Sequence, residues 1–247
     1  RMFGGKLGGD EFTNKYKTYQ LGYDAQAGEW RVGAAYEYSD GSLNYTSGSG
    51  ENKIGAISLY GTLQGKDNSA LDIVVKRGRI YGDMDIYGKY SDQGDYSTDA
   101  TSIGVEYSKR FDGGNNVYFE PQAQLTFGRI DGYDYVSAKG IRVAYDDINS
   151  LIGRLGIVGG KAFSRGDVYV KASLLHEFSG DSSVTMLAAN GESYMEDQDY
   201  GDTWLEVGIG GNITLGKNCE LYGEVERSFG GDVTKNWGAN VGFRYSF

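Results

Sequence analysis

The sequence predicts an all-β fold, a single antiparallel transmembrane β-barrel of about twelve strands with short turns at one end and long loops at the other. Three observations carry this. The first is the strict alternation of the last eleven residues, with Trp237, Ala239, Val241, Phe243, Tyr245 and Phe247 on one face and Gly238, Asn240, Gly242, Arg244 and Ser246 on the other. A period of two marks an extended chain, and an aromatic face opposite a face of Gly, Asn, Arg and Ser fits lipid on one side and water on the other. The second is composition: 40 Gly, 1 Pro, 21 Tyr, 10 Phe and 3 Trp in a chain of mean hydropathy −0.47. No apolar run reaches about 18 residues, so no helix crosses a membrane, but a barrel hides its lipid face at every second residue. The third is that strand-like segments of roughly ten residues, enough to cross a bilayer at a tilt, are joined by connections that alternate short and long. A soluble β-sandwich does not predict that two-sided asymmetry. All of residues 1–247 fit this one domain.

In order, Arg1 to Leu7 reads as the end of a first strand, with a polar loop from Gly8 to Asn14. Tyr19, Leu21 and Tyr23 alternate with Gln20, Gly22 and Asp24, then Gln26 to Glu29 turns the chain. Trp30, Val32, Ala34, Tyr36 and Tyr38 oppose Arg31, Gly33, Ala35, Glu37 and Ser39, and Gly41 to Gly50 reads as a long polar loop. Ile54 to Gln64 is a strand whose inward parity stays open, and Lys66 to Ser69 is a short turn. Leu71, Ile73 and Val75 oppose Asp72, Val74 and Lys76 in a fifth strand, which enters an acidic loop over Gly82 to Asp99. Ile103, Val105 and Tyr107 oppose Gly104, Glu106 and Ser108, and Phe111 to Asn116 turns back. Val117, Phe119, Ala123, Leu125 and Phe127 oppose Glu120, Gln122, Gln124 and Thr126, before a long loop over Asp131 to Asn149. Leu151, Leu155 and Ile157 oppose Arg154 and Gly156, and Ser164 to Asp167 is a turn. Val168, Val170, Ala172 and Leu174 oppose Tyr169, Lys171 and Ser173, and the longest loop covers Gly180 to Asp202. Leu205, Val207, Ile209, Ile213 and Leu215 oppose Glu206, Gly208, Gly210, Asn212 and Thr214. A turn at Gly216 to Asn218 leads to Leu221, Val225 and Phe229, with Glu224 and Glu226 inward.

Counted back from Phe247, the short turns lie on the side where the chain ends. In outer-membrane barrels that side is the periplasm, so both termini are expected there and the long acidic loops outside. The net charge of −10 argues against nucleic acid, whose phosphates need a basic footprint. Cys219 stands alone, so no internal disulfide or Cys-rich metal site is expected, and nothing in the pattern calls for a cofactor. No signal peptide precedes Arg1, and such a barrel must be exported first, so a longer precursor is expected.

The inward set comprises Arg31, Asp72, Lys76, Glu106, Glu120, Arg154, Lys171, Glu206, Glu224 and Arg244. Both signs are present, and the simplest reading is a self-compensating ion-pair lining that keeps the lumen wet. Tyr23, Trp30, Phe111, Phe163 and Phe247 are candidates for an aromatic girdle near the periplasmic rim. His176 is the one histidine, and a Ser/His hydrolase would need it to meet Ser173. It shares the parity of Leu174 and Phe178, which points it at lipid instead.

Five segments in order resemble the C-terminal translocator domain of bacterial autotransporters (type V secretion). They are Arg1-Met-Phe-Gly-Gly-Lys6, Gln20-Leu-Gly-Tyr-Asp24, Tyr118-Phe-Glu-Pro-Gln-Ala-Gln-Leu125, Ser150-Leu-Ile-Gly-Arg-Leu-Gly156 and Gly242-Phe-Arg-Tyr-Ser-Phe247. The resemblance covers nearly the whole chain. It implies a monomeric barrel in the lipid of a Gram-negative outer membrane, which anchors an N-terminal passenger and assists its secretion. It also implies a linker helix threading the pore, periplasmic chaperones, and insertion by the Bam machinery, with Phe243, Tyr245 and Phe247 as the C-terminal assembly signal. In self-cleaving members an acid inside the barrel activates an Asn at the passenger junction. Leu71-Asp-Ile-Val74 resembles the segment holding that acid and Gly104-Val-Glu106 the one holding its helper, so Asp72 would activate and Glu106 would tune it. The fifth and sixth strands, pairing antiparallel, are expected to bring these two carboxylates to similar depth. A narrow diffusion porin and a barrel hydrolase are the alternative functions.

Overall fold

The computed structural model describes residues 1–9, 11–89, 91–188, 190–198 and 201–247. Twelve strands form the barrel wall: β1 (Met2–Gly8), β2 (Phe12–Ala27), β3 (Trp30–Tyr45), β4 (Gly48–Gln64), β5 (Ser69–Ile86), β6 (Asp92–Lys109), β7 (Val117–Ile130), β8 (Ile148–Phe163), β9 (Gly166–Glu177), β10 (Asp202–Leu215), β11 (Cys219–Phe229) and β12 (Thr234–Tyr245). Each pairs antiparallel with its sequence neighbours, and β1 pairs with β12 from Met2↔Val241 to Gly8↔Thr234. The ring is closed, so every strand has a neighbour on both sides. The C-terminal end shares one rim with the connections at 28–29, 65–68, 110–116, 164–165 and 216–218, called here the turn rim, and β1 runs away from that side. The opposite, loop rim carries the connections at 9–11, 46–47, 87–91, 131–147, 178–201 and 230–233.

The molecule is inside out. Large apolar side chains such as Leu21, Leu59, Leu155 and Ile209 are 82%, 61%, 66% and 62% exposed, whereas Thr18, Glu37, Ser58 and Ser173 are buried. The alternation at 237–247 holds, with Trp237, Val241, Phe243, Tyr245 and Phe247 all exposed on the outer face. Tyr23, Phe111, Phe163 and Phe247 also lie exposed near the turn rim. The open parity of β4 is settled by its partners: Tyr60 reaches Asp24 and Thr62 reaches Asp72 across the lumen face, so the even residues point inward.

Inside the wall, tyrosines lie over glycines directly opposite them on the neighbouring strand. The pairs are Tyr60 on Gly33, Tyr96 on Gly82, Tyr118 on Gly160, Tyr169 on Gly210 and Tyr222 on Gly242. In each pair a Cβ on the glycine would meet the phenol ring or hydroxyl. Much of the glycine content therefore serves close cross-strand packing.

Several expected loops are strand instead. Gly41 to Gly50 runs into the ladder, with Tyr45 paired to Gly48, and the acidic stretch at 82–99 continues β5 and β6 to Ile86↔Asp92. The polar stretch before Asn14 likewise enters β2 at Phe12. Past the apolar belt both faces of the sheet meet water, so hydrophobic alternation vanishes while backbone pairing persists. The two longest connections, 131–147 and 178–201, also fold: Ser193–Gln198, Ser182–Leu187, Arg142–Tyr145 and Tyr133–Val136 form a four-stranded antiparallel sheet in that order. Val143 and Val184 are buried in it. Tyr133 stacks on the inward-facing Tyr96 at 4.4 Å and on Tyr145 at 4.8 Å, seating the sheet on the lumen side of β6. Backbone bonds from Ala138 to Gln93 (2.8 Å) and from Asp146 to Ser183 (3.0 Å) fasten it.

Candidate functional site: the charged lumen

Alternation places one side chain in two on the inner wall, and neighbouring strands bring opposite charges into register. On β9 to β12 the Lys171 ammonium lies 2.6 Å from Glu224 and 2.9 Å from Glu226. Lys235 lies 2.7 Å from Glu206 and also contacts Glu226, so two cations serve three carboxylates. Tyr169 donates its hydroxyl to Glu224 at 2.8 Å. All five charged side chains are at most 22% exposed, so each depends on its partners more than on bulk water.

A second centre lies on β4 to β9. Arg154 donates to Glu106 at 2.7 Å, to Gln124 at 2.8 Å, to Gln122 at 3.1 Å and to Ser173 at 3.2 Å. Gln122 in turn donates to Glu120 at 2.9 Å. Asp72 stands directly opposite Glu106 in the β5/β6 register, as parity predicts. The two carboxylates are not equivalent: Glu106 is neutralised by Arg154, whereas Asp72 accepts a hydrogen bond from the Thr62 hydroxyl and forms no ion pair among the described residues.

The rest of the predicted set lies nearby. Lys76 pairs with the buried Glu37 at 2.8 Å, Arg31 lies 3.8 Å from Asp24, and Arg244 lies 3.9 Å from Glu220. Above Lys76 the wall turns apolar, and Ile54, Ala56, Ile80, Ala100, Ile130 and Ile148 line a recess of about 320 Å³. Ser173 and His176 do not meet. Ser173 is buried on the inner face against Arg154, while the His176 ring bonds Thr203 at 2.7 Å and packs edge-on to Phe178, which is 63% exposed on the outer face.

Alternation missed Lys235. It shares the parity of Trp237, which would put it in lipid. The register instead passes from Lys6↔Trp237 to Leu7↔Lys235, so Asn236 is an extra residue and the bulge turns Lys235 inward.

The family profile described as Autotransporter beta-domain matches residues 1–226. The chain belongs to the autotransporter β-domain family. Among curated relatives, this β-domain is similar to the pertactin autotransporter of Bordetella parapertussis, 30% identical over 251 residues, 97% of this chain and 27% of the relative. It is 29% identical over 237 residues to the BrkA autotransporter of Bordetella pertussis, 92% of this chain and 23% of the relative. The autotransporter β-domain thus spans about a quarter of the length of these relatives. Among solved structures, the β-domain of the Bordetella autotransporter BrkA superposes with a TM-score of 0.78 at 24% identity, covering 100% of this chain and 97% of that one. The translocator domain of NalP from Neisseria meningitidis gives 0.78 at 13% identity, covering 100% and 86%. At such identities the superpositions establish the fold, and the family match establishes an outer-membrane barrel.

Proposed function

We propose that this β-domain is the translocator of a longer autotransporter, anchoring its passenger in the outer membrane and assisting its passage to the cell surface. The observation that carries the reading is a closed barrel with a lumen of paired charges, in a chain that matches the autotransporter β-domain over residues 1–226. The turn rim faces the periplasm, with both termini of the barrel towards that side, and the loop rim faces outward. A linker helix threads the lumen with its apolar side on the recess at Ile54, Ile80 and Ile130. Periplasmic chaperones and the Bam machinery deliver and insert the barrel, reading Phe243, Tyr245 and Phe247 on the closing strand. With each strand flanked by two others in a closed ring, the barrel works as a monomer.

We further propose that the passenger is released by self-cleavage at a junction Asn. The Asn side-chain nitrogen attacks the backbone carbonyl carbon of its own residue. A cyclic imide forms, and the peptide bond to the next residue breaks. Asp72 takes the amide proton, which passes to the departing amine, so no water is consumed. Glu106 is a positioning residue, held by Arg154 across the register from Asp72. That Asp72 forms no ion pair among the described residues is what supports it as the base, since a carboxylate already claimed by an arginine is a poorer proton acceptor.

One experiment tests both parts. In cells making the full-length protein, an impermeant protease should reach the passenger and the hairpin tip at Glu192 from outside, with the passenger already cut from the barrel. Asp72→Asn should leave the passenger at the surface but attached. Wild-type release from the Asp72→Asn protein would leave Asp72 as pore lining, and a passenger confined to the periplasm would defeat the translocator reading.

A further inference from the structure

The outer face of the barrel carries an unpaired basic patch beside the β1/β12 closure. Three rows of outward residues follow from the registers. Nearest the turn rim, Met2, Tyr19 and Tyr38 face one another across β1, β2 and β3, all substantially exposed. The next row is Gly4, Lys17, Asp40 and Lys53. The row beyond it is Trp237, Lys6, Lys15 and Ser42. Lysines therefore begin where the belt of apolar and aromatic side chains stops, at the level where a membrane gives way to head groups.

Lys6 and Lys15 are directly opposite each other, an arrangement that destabilises an antiparallel pair unless something compensates it. Lys17 is a diagonal neighbour of Lys6, at about 7–8 Å between positions, so one tetrahedral anion can meet all three ammonium groups. Among the described residues, none of Lys6, Lys15 and Lys17 makes an ion pair or a side-chain hydrogen bond. Lys53 lies 3.5 Å from Glu51 with both side chains about half exposed. On β1 to β4, four lysines against Asp40 and Glu51 make a positive island, bounded by Asp83 and Asp95 on the next two strands, on a chain of net charge −10. Other outward cations near this level are already matched: Arg77 lies 3.1 Å from Asp99, and Arg129 contacts Asp131 and Asp147.

We propose that Lys6, Lys15 and Lys17, with Lys53 at the edge, bind the phosphate groups of a phosphorylated glycolipid in the outer leaflet, whose acyl chains lie against Met2, Tyr19 and Tyr38. The lysine stems run along apolar surface while their heads reach the phosphate layer. Assignment to that leaflet rests on the proposed orientation, with the loop rim at the cell surface.

The test uses the purified barrel in detergent and native mass spectrometry with three probes: a bisphosphorylated disaccharide glycolipid, the same lipid without phosphates, and inorganic phosphate. The bisphosphorylated lipid should stay bound, and the triple variant Lys6→Gln, Lys15→Gln, Lys17→Gln should bind it about a hundredfold more weakly. The dephosphorylated lipid should bind both proteins equally poorly. Retention of folded migration in unheated gels shows that the variant is intact, and the triple Lys→Arg variant should keep the affinity if charge is the cause. Undiminished binding by the intact Gln variant overturns the proposal, as does equal retention of the dephosphorylated lipid. Inorganic phosphate binding as tightly as the glycolipid replaces a lipid site with a free-anion site. Orientation is read separately, by labelling Asn190→Cys in a Cys219→Ser background on intact cells with an impermeant thiol reagent. Labelling only from the periplasm overturns the orientation and the choice of leaflet, whatever the detergent experiment shows.

Discussion

Lys235 holds two carboxylates, Glu206 and Glu226, that belong to different strands. Replacing it by Met leaves both acids in the wall with Lys171 as the remaining cation. The expected loss is on the order of 2 kcal/mol, less than for a fully dry ion pair because the lumen is wet. Lowered urea midpoints for Lys235→Met, restored by Lys235→Arg, would check it; an unchanged midpoint would mean that Glu206 and Glu226 reach water instead. Much of the lumen was readable at this scale, because period-two parity alone assigned Arg154, Lys171, Glu206 and Glu224 to the inner face. Lys235 was unreadable, since a bulge is a backbone event and Thr234-Lys-Asn236 carries no residue that announces one. The apolar recess was hidden for a related reason: Ile54 and Ile80 are large aliphatic residues on the wet side, where alternation expects polar ones.

The strand is where sequence was most informative about position and least about length. Twelve segments and most of their faces follow from alternation, β4 being left open, yet β5 and β6 run to 18 residues each because pairing outlasts the apolar belt. The two longest connections were read as loops, and short strands that meet partners far away in sequence leave too little periodicity to detect. Glycine content is explained element by element, through the tyrosines laid across it. Gly242→Ala should push the Tyr222 ring off β12 and destabilise the final hairpin by about 1–3 kcal/mol. The check is the fraction of protein showing heat-modifiable migration after membrane insertion. Tyr222→Ala in the same chain should recover part of the loss, and a full defect with Tyr222 removed would point away from this contact.

Over the whole molecule, the four-stranded surface sheet joins the loop rim to the barrel through stacked phenols. Tyr135 donates its hydroxyl to the Met84 sulfur at 3.2 Å, and burial, with Tyr145 and Tyr96 close by, pushes its pKa up to about 12. Burial and the same neighbours raise Tyr133 as well. An unfolded phenol ionises near 10, so the stability from these neutral rings is complete below about pH 10 and declines as pH climbs towards the folded value. The aromatic circular dichroism of the sheet should therefore fade above pH about 10 while the barrel persists. Tyr133→Phe with Tyr135→Phe should move the fading to higher pH; an unmoved midpoint would assign it to other groups.

The seam that closes the ring is irregular in a way that matters once the barrel carries a load. β12 meets β1 across a bulge, where Asn236 lies between Lys6↔Trp237 and Leu7↔Lys235 with no partner of its own in the register. A polypeptide crowding the lumen presses outward on all sides, and in a closed ring the resulting hoop tension is shared equally by every seam. Such a hoop yields first where its stitching skips. The wall is therefore weakest against dilation near Asn236, on the seam that joins the first strand to the last.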